Sequence, residues 1–139
     1  MNKLIFYVSK KALAWPYDAP DVDAITAVAL SRNASLDVTG ALISTDHYFA
    51  QILEGPEAAV DDVMASILRD ARHHSVKVLA DCEEEERWFA QWSLAFAGRS
   101  SPVSSLFEPL LADPPQTPKE TTWLMRMIQA LIPPGWVFG

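Results

Sequence analysis

Residues 39–55 read TGALISTDHYFAQILEG, and this stretch predicts a β-hairpin. Two apolar runs flank a short polar turn, which is the pattern of paired antiparallel strands. Side chains alternate along the second run, so Phe49 and Leu53 lie on one face while Ala50 and Ile52 lie on the other. Because both faces are apolar, we expect the sheet to be covered on both sides.

The same reasoning extends outward from the hairpin. Alternating apolar positions predict strands at residues 3–9, 39–44, 48–54, 76–82 and 92–97. Apolar positions three and four residues apart predict helices at residues 21–33, with Asp21 as N-cap, and 56–71. The order β-α-β-β-α-β-β begins with the ferredoxin-like pattern, in which one sheet carries two helices on a single face. The predicted fold class is therefore α+β, with a final strand that extends the sheet.

The C-terminal part of the chain supplies a cover for the second face of the sheet. Residues 121–132 place Leu124, Ile128 and Leu131 at helical spacing, and a short helix is expected around residues 104–111. We therefore expect one domain at residues 1–98 and a C-terminal helical extension at residues 99–139, packed on the other face.

Composition and charge exclude several classes of protein. The 139 residues are 50% hydrophobic and carry a net charge of −7, which suits a globular domain and argues against nucleic acid as a partner. The longest apolar runs are too short to span a membrane. We expect no separate catalytic domain in a chain of this length.

Cysteine and histidine usage gives further expectations. Cys82 is the single cysteine, so no internal disulfide can form and a cytoplasmic location is expected. We interpret Cys82 as a small buried residue and residues 83–86 as a solvated acidic turn. The histidines and Cys82 lack the spacing of a metal site, so no metal is expected.

Three polar residues are directed toward the core. Gln51 shares the face of Phe49, Tyr7 shares the face of Ile5, and Asn33 ends the first helix. Each has an ordinary explanation, namely a satisfied core amide, a satisfied core phenol and a helix C-cap. Together they place two amides and a phenol between sheet and helices. That set suits a flat heterocycle with carbonyl and N–H edges better than it suits acid–base hydrolysis.

Five stretches of sequence carry a resemblance to a known family. They are LIFYVS at 4–9, Asn33 with VTGAL at 38–42, FAQILEG at 49–55, RDARHHS at 69–75 and RWFAQWS at 87–93. In this order and spacing, over about residues 3–98, they resemble the BLUF family of blue-light sensors that use flavin. The resemblance implies noncovalent FAD with its isoalloxazine ring between the two helices, and a small reversible red shift of flavin absorption under blue light.

The resemblance also implies roles for individual residues. Tyr7 would donate an electron and a proton to the excited flavin. Gln51 would lie between Tyr7 and the ring and would rearrange its hydrogen bonds, and Asn33 would hold the polar edge of the ring. The other positions that correspond to the flavin site are Arg32, Asp70 and His73, with apolar walls from Ile25, Leu42, Phe49 and Ile67.

One departure from the family pattern lies near the last strand. Relatives have Trp-x-Met there, whereas this chain has Trp92-Ser93-Leu94. Leu94 conserves the volume of methionine but lacks its polarizable sulfur. Because Trp92 and Leu94 correspond to the signal relay of relatives, we expect normal photochemistry with altered signal output or dark recovery. Whether Trp92 points toward the flavin stays open.

The leading interpretation is a short blue-light receptor that is not itself an enzyme. It would act through a downstream protein, and its apolar surface favours a homodimer. The alternative is a light-independent binding or assembly module with the same ferredoxin-like fold and no flavin. A small enzyme such as an acyl phosphate hydrolase is disfavoured, because the chain has no phosphate-cradling glycine loop. The sequence does not distinguish FAD from FMN.

Overall fold

A computed structural model describes residues 2–14, 17, 19–91, 93–96 and 102–131 of the chain. The strands in these residues are β1 (Asn2–Lys11), β2 (Thr39–Ser44), β3 (Tyr48–Gly55), β4 (His73–Glu84) and β5 (Ser93–Phe96). The α-helices are α1 (Ala19–Val28), α2 (Glu57–Arg69), α3 (Pro102–Ala112) and α4 (Pro118–Leu131).

The strands form one sheet in the order β4-β1-β3-β2-β5. Strand β3 lies at the centre, and β1 lies between β3 and the edge strand β4, pairing antiparallel with both. Strand β5 pairs in parallel with β2 and extends the sheet at that edge. This arrangement confirms the α+β, ferredoxin-like prediction and the position of the extra strand.

Two hydrophobic cores lie on opposite faces of the sheet, as the alternation along β1 predicts. On one face Ile5 and Leu53 pack against Val60 of α2. On the other face Phe6 and Ile52 pack against the C-terminal helices, whose buried side chains are Phe107, Leu111, Leu124, Met125 and Ile128. The C-terminal helices therefore cover the second sheet face, as predicted.

The first helix differs in detail from its prediction. It begins at Ala19, before Asp21, and passes from α1 into a π-helical turn at Ala29–Asn33. Asp37, with φ of 58°, then adopts the left-handed conformation that often ends helices. Asn33 is therefore not the C-cap. Such π-helical turns are rare and concentrate at functional sites.

Two expectations near the end of β4 are wrong. Cys82 is exposed rather than buried, because it lies near the end of β4, which is an edge strand of the sheet. The acidic run is not entirely a solvated turn, since β4 continues through Glu84 and pairs that residue with Asn2.

Two features are absent from the described part of the chain. None of its helices is both long enough and apolar enough to span a membrane. No group of three or more His, Cys, Asp or Glu side chains within it is arranged to hold a metal ion.

Candidate functional site

A cavity of about 260 Å³ lies beside the sheet face that carries Tyr7. Side chains of β1, β2 and β3 form one side, and α1, α2 and the residues that follow these helices form the rest. All ten positions expected at a flavin site line it: Tyr7, Ile25, Arg32, Asn33, Leu42, Phe49, Gln51, Ile67, Asp70 and His73.

Tyr7 and Gln51 form a hydrogen-bonded pair in this cavity. They are direct partners across β1 and β3, so their side chains leave the same face of the sheet. The Tyr7 hydroxyl donates to Oε1 of Gln51 at 2.5 Å. Burial, and to a lesser extent the charge of Asp70, raises the pKa of Tyr7 far above its ordinary value of 10.0. The phenol therefore keeps its proton, and Gln51 presents its carbonyl oxygen to it.

Each of the two amides keeps hydrogen-bonding capacity toward the cavity. Asn33 is only 4% exposed, and its side-chain amide makes no hydrogen bond to any other described residue. The amide N–H₂ group of Gln51 likewise finds no acceptor within the described ranges. Because both amides line the cavity, a ligand with matching polar edges can pair with these groups.

Asp70 and Arg72 form a tight ion pair at the end of α2. The Arg72 Nε donates to Asp70 Oδ1 at 2.9 Å and to Oδ2 at 3.0 Å, and Arg72 Nη2 also contacts Oδ2. The backbone N–H of Arg72 donates to Oδ1 as well. These contacts, the side-chain hydrogen bonds foremost, lower the pKa of Asp70 below its ordinary value. Asp70 therefore contributes a fixed negative charge to the cavity wall.

His73 connects α2 to β1. Its Nε2 lies 2.6 Å from the backbone carbonyl oxygen of Ile67, which can only accept, so Nε2 carries a proton and donates it. Its Nδ1 lies 2.7 Å from the Ser9 hydroxyl. The imidazole ring also approaches the rings of Tyr7 and Phe49, at centroid distances of 6.1 and 6.3 Å. His73 thereby sets the spacing between the helix end and the strand that carries Tyr7.

Sequence reasoning missed four residues that line the cavity, namely Val28, Val63, Ser66 and Arg72. The signal for most of them was present. Val28 follows Ile25 by one helical turn, and Ser66 lies one turn after Val63. The Ser66 hydroxyl accepts a hydrogen bond from Arg32 Nη2 at 2.9 Å, which links the two sides of the cavity.

Of the two residues expected to relay the signal, the structure describes the backbone of Leu94 only. Trp92 lies outside the described residues. Leu94 is part of β5, where its backbone is the register partner of Leu42 on β2. Because the Leu42 side chain lines the cavity, β5 is one strand away from the site.

The chain matches over residues 3–95 the BLUF family, described as sensors of blue-light using FAD. The chain belongs to the BLUF family. This BLUF protein is thus a blue-light photoreceptor that uses FAD.

Relatives and solved structures agree with this membership. The chain is 34% identical over 96 residues to the photoactivated adenylate cyclase subunit beta of Euglena longa, covering 68% of this chain and 11% of that protein. It is 35% identical over 68 residues to the blue light- and temperature-regulated antirepressor BluF of Escherichia coli, and the match covers 48% of this chain and 17% of that protein. The dark-state structure of the BLUF protein BlrB superposes with a TM-score of 0.77 at 28% identity, covering 94% of this chain and 96% of BlrB.

The lengths of these proteins differ greatly. The chain spans about a tenth of the cyclase subunit and nearly all of BlrB. The similarity to the cyclase subunit therefore concerns the sensor region.

Proposed function

We propose that the cavity holds the isoalloxazine ring of FAD noncovalently, that Tyr7 and Gln51 are the photoactive pair, and that the lit state is passed to a separate protein. The observation that carries this proposal is the hydrogen bond from the Tyr7 hydroxyl to Gln51 Oε1 inside a cavity that the amides of Asn33 and Gln51 both line.

The residues around the cavity suit such a ring. At about 260 Å³ the cavity lies just below the roughly 300–1,000 Å³ typical of small-molecule sites, so it suits a ring system rather than an entire dinucleotide. Ile25, Phe49 and Ile67 supply apolar walls for the faces of a flat ring. The amides of Asn33 and Gln51 supply donors and acceptors for its carbonyl and N–H edges.

Bound FAD supplies absorption of blue light and, once excited, the capacity to take an electron and a proton. Tyr7 holds its proton on Oη, directed at Gln51 Oε1. Transfer of an electron from Tyr7 to the excited flavin would make the phenol strongly acidic, and this hydrogen bond would then carry its proton through the Gln51 amide to the same acceptor. Gln51 would afterwards exchange its donor and acceptor positions by rotation or tautomerisation. In a cavity of low dielectric constant, such an exchange changes the hydrogen bonds that the amide offers to a ligand.

The test of this proposal is spectroscopic. Full-length protein, purified or reconstituted with FAD, is expected to be yellow and to show a small red shift of its flavin bands under blue light that decays in the dark. Colourless protein that takes up no FAD would refute it and would favour the light-independent binding module. Parallel titrations with FAD and FMN measure which flavin the site prefers.

Asn33→Ala is expected to weaken flavin binding because it removes an amide whose polar groups have no partner in the described chain. Loss of one or two hydrogen bonds at about 0.5–1.5 kcal/mol each corresponds to a rise in Kd of roughly 2- to 150-fold. Fluorescence titration with FAD measures the Kd. Ser35→Ala, an exposed change on the same segment, is the control. A Kd equal in all three proteins would contradict a role for Asn33 in holding the ring.

We propose that residues 1–98 form the sensor and residues 99–139 the output extension. In support, the C-terminal helices pack on the sheet face opposite the cavity, where Phe107 and Leu124 contact the core. Trp123 is 55% exposed and offers apolar surface to a partner. That partner is a downstream protein or a second copy of the chain, and we place the system in the cytoplasm, without nucleic acid or membrane contacts.

Leu94→Met is expected to change dark recovery or the light-dependent change in the C-terminal helices, with the red shift itself retained. The physical reason is that β5 is adjacent to β2, and a thioether differs from leucine in polarizability at nearly equal volume. Recovery is followed by absorbance, and the helices by limited proteolysis in dark and light. Leu106→Met, an exposed change on α3, is the control. Identical recovery and identical proteolysis before and after the Leu94 change would contradict the expectation.

A further inference from the structure

The connection from β4 to β5 has to cross the whole sheet. The two strands lie at opposite edges, and residues 85–92 span the distance between them. Four inter-strand spacings amount to about 19 Å. The nine steps from Glu84 to Ser93 reach roughly 30–32 Å when fully extended, so the contacts of the crossover rather than its length decide its path. What holds it against the end of the sheet therefore affects where β5 begins.

Glu54 is the central anchor of the crossover. Its residue is 0% exposed, and its two carboxylate oxygens accept the backbone N–H groups of Trp88 at 2.6 Å and Phe89 at 2.8 Å. The Thr39 hydroxyl donates to the Phe89 carbonyl at 2.6 Å, and Gln129 of α4 donates to the Trp88 carbonyl at 2.8 Å. The crossover is thus tied to the sheet and to the C-terminal helices at the same point.

A second glutamate lies against this anchor. Glu84 is the last residue of β4, and both of its carboxyl oxygens are buried. No N–H or hydroxyl group of the described residues donates to either oxygen. The strand register places Glu84 opposite Asn2 and Glu54 opposite Leu4, so the two glutamates lie on the same face of the sheet, on either side of β1. Two carboxyl groups can form a hydrogen bond only if one of them carries a proton.

We propose that Glu54 and Glu84 share one proton, and that this proton determines where β4 ends and the crossover begins. With the proton in place, the carboxyl pair closes the end of β4 beside Asn2. Without it, two adjacent buried carboxylates repel each other. Glu54 keeps its position because two N–H groups hold it. Glu84 turns outward, its pairing with Asn2 frays, and the crossover gains length.

Burial is the main reason why Glu84 retains a proton. Burial, and then the charge of Glu54, raises the pKa of Glu84 to about 8. Arg87 opposes this shift, but its guanidinium group donates to Thr39 and Asp37, each at 3.0 Å. The other charged or titratable groups nearby are Lys3 of β1, which pairs with Asp61 and Asp81, and Cys82 of β4, whose pKa is raised by burial and by Glu84. From α4, the uncharged Gln129 donates to the carbonyl of Trp88 in the crossover.

The sign of the pH dependence follows from the raised pKa of Glu84. The folded protein retains a proton that the unfolded chain releases near the ordinary value of 4.5. The stability that this proton contributes is complete below about pH 4.5, declines as the pH rises toward about 8, and is lost above it. The pairing at the end of β4 should weaken over the same pH range, from about 4.5 to about 8.

The test uses the full-length protein in the dark and does not depend on the proposed light function. Carboxyl ¹³C NMR should show one glutamate that titrates several pH units above the others. Amide-exchange protection factors at residues 82–86 should fall about tenfold in the wild type between pH 7 and pH 9, once the pair has lost its proton. In Glu84→Gln, an amide donates to Glu54 at every pH, so protection should stay constant. Glu83→Gln removes an exposed neighbouring charge and should behave as the wild type.

Two results would overturn the proposal. One is a ¹³C titration of the wild type in which every glutamate has a midpoint below about pH 5.5, that is, within about a unit of its reference value. The other is a Glu84→Gln protein whose protection at residues 82–86 still falls with pH. If Glu84→Gln does not fold, the wild-type titration decides the question alone.

Discussion

Tyr7→Phe is expected to abolish the light-induced red shift while the protein remains folded and yellow. Phenylalanine retains the ring that packs beside Ile5 and Leu53, but it removes the hydroxyl that donates to Gln51 Oε1 at 2.5 Å. No proton is then available to pass from the phenol to the amide. The unpaired Gln51 carbonyl should lower the free energy of unfolding by about 1–3 kcal/mol.

Absorbance difference spectra before and after blue light measure this effect, and urea unfolding measures stability. Tyr48→Phe is the matched control, because Tyr48 belongs to the same sheet but packs against the core on the opposite face. Its red shift should equal that of the wild type. A normal shift in Tyr7→Phe would mean that another group supplies the electron and the proton, and the role assigned to Tyr7 would be wrong.

Gln51→Ala should also eliminate the red shift, for a different reason. The phenol of Tyr7 remains, but its hydrogen-bond acceptor is gone, and no amide can exchange donor and acceptor positions toward the ring. Flavin should stay bound through the apolar walls and Asn33. Leaving the buried Tyr7 hydroxyl without an acceptor should again cost about 1–3 kcal/mol of stability.

Difference spectroscopy in this variant separates the two roles. Light should still bleach or quench the flavin bands in Gln51→Ala if Tyr7 transfers its electron, without producing the red-shifted form. Gln116→Ala, a change at an exposed glutamine between α3 and α4, should leave the shift intact. A wild-type red shift in Gln51→Ala would show that the spectral change arises elsewhere than in this amide.

The sheet and its two faces were predictable because alternation is a local property of the chain. Tyr7 lies two residues after Ile5 and Gln51 two residues after Phe49, so alternation along each strand assigns both to a face that points inward. Their hydrogen bond was not predictable from alternation. It depends on the register of β1 with β3, which makes these two residues direct partners.

The position of Asn33 shows where helical periodicity stops being sufficient. Its stripe with Ile25 assumes regular α-helical turns, whereas the backbone changes to a π-helical turn at Ala29–Asn33. The position of Asn33 at the end of the predicted helix also suggested a C-cap, but the residue with left-handed backbone conformation is Asp37. The π-helical backbone observed here, rather than a regular α-helix, places the Asn33 amide at the cavity.

The acidic end of β4 illustrates the same limit. Four consecutive glutamates at residues 83–86 indicate a solvated turn, and three of them are exposed as expected. The fourth, Glu84, has both carboxyl oxygens buried on the side of the sheet that carries Glu54. These two residues are far apart in sequence. Only the placement of β1 between β3 and β4 brings their carboxyl groups together.

Sequence patterns were enough to predict the α+β class, the order of elements and the two apolar sheet faces, and the family resemblance gave the residues expected at a flavin site. These depend on patterns between near neighbours in the chain. The tertiary structure alone decided the Tyr7–Gln51 hydrogen bond, the clamp of His73 between α2 and β1, and the proximity of Glu54 and Glu84. Each of these joins residues from different elements, and their distances are set by strand register and by packing across the sheet.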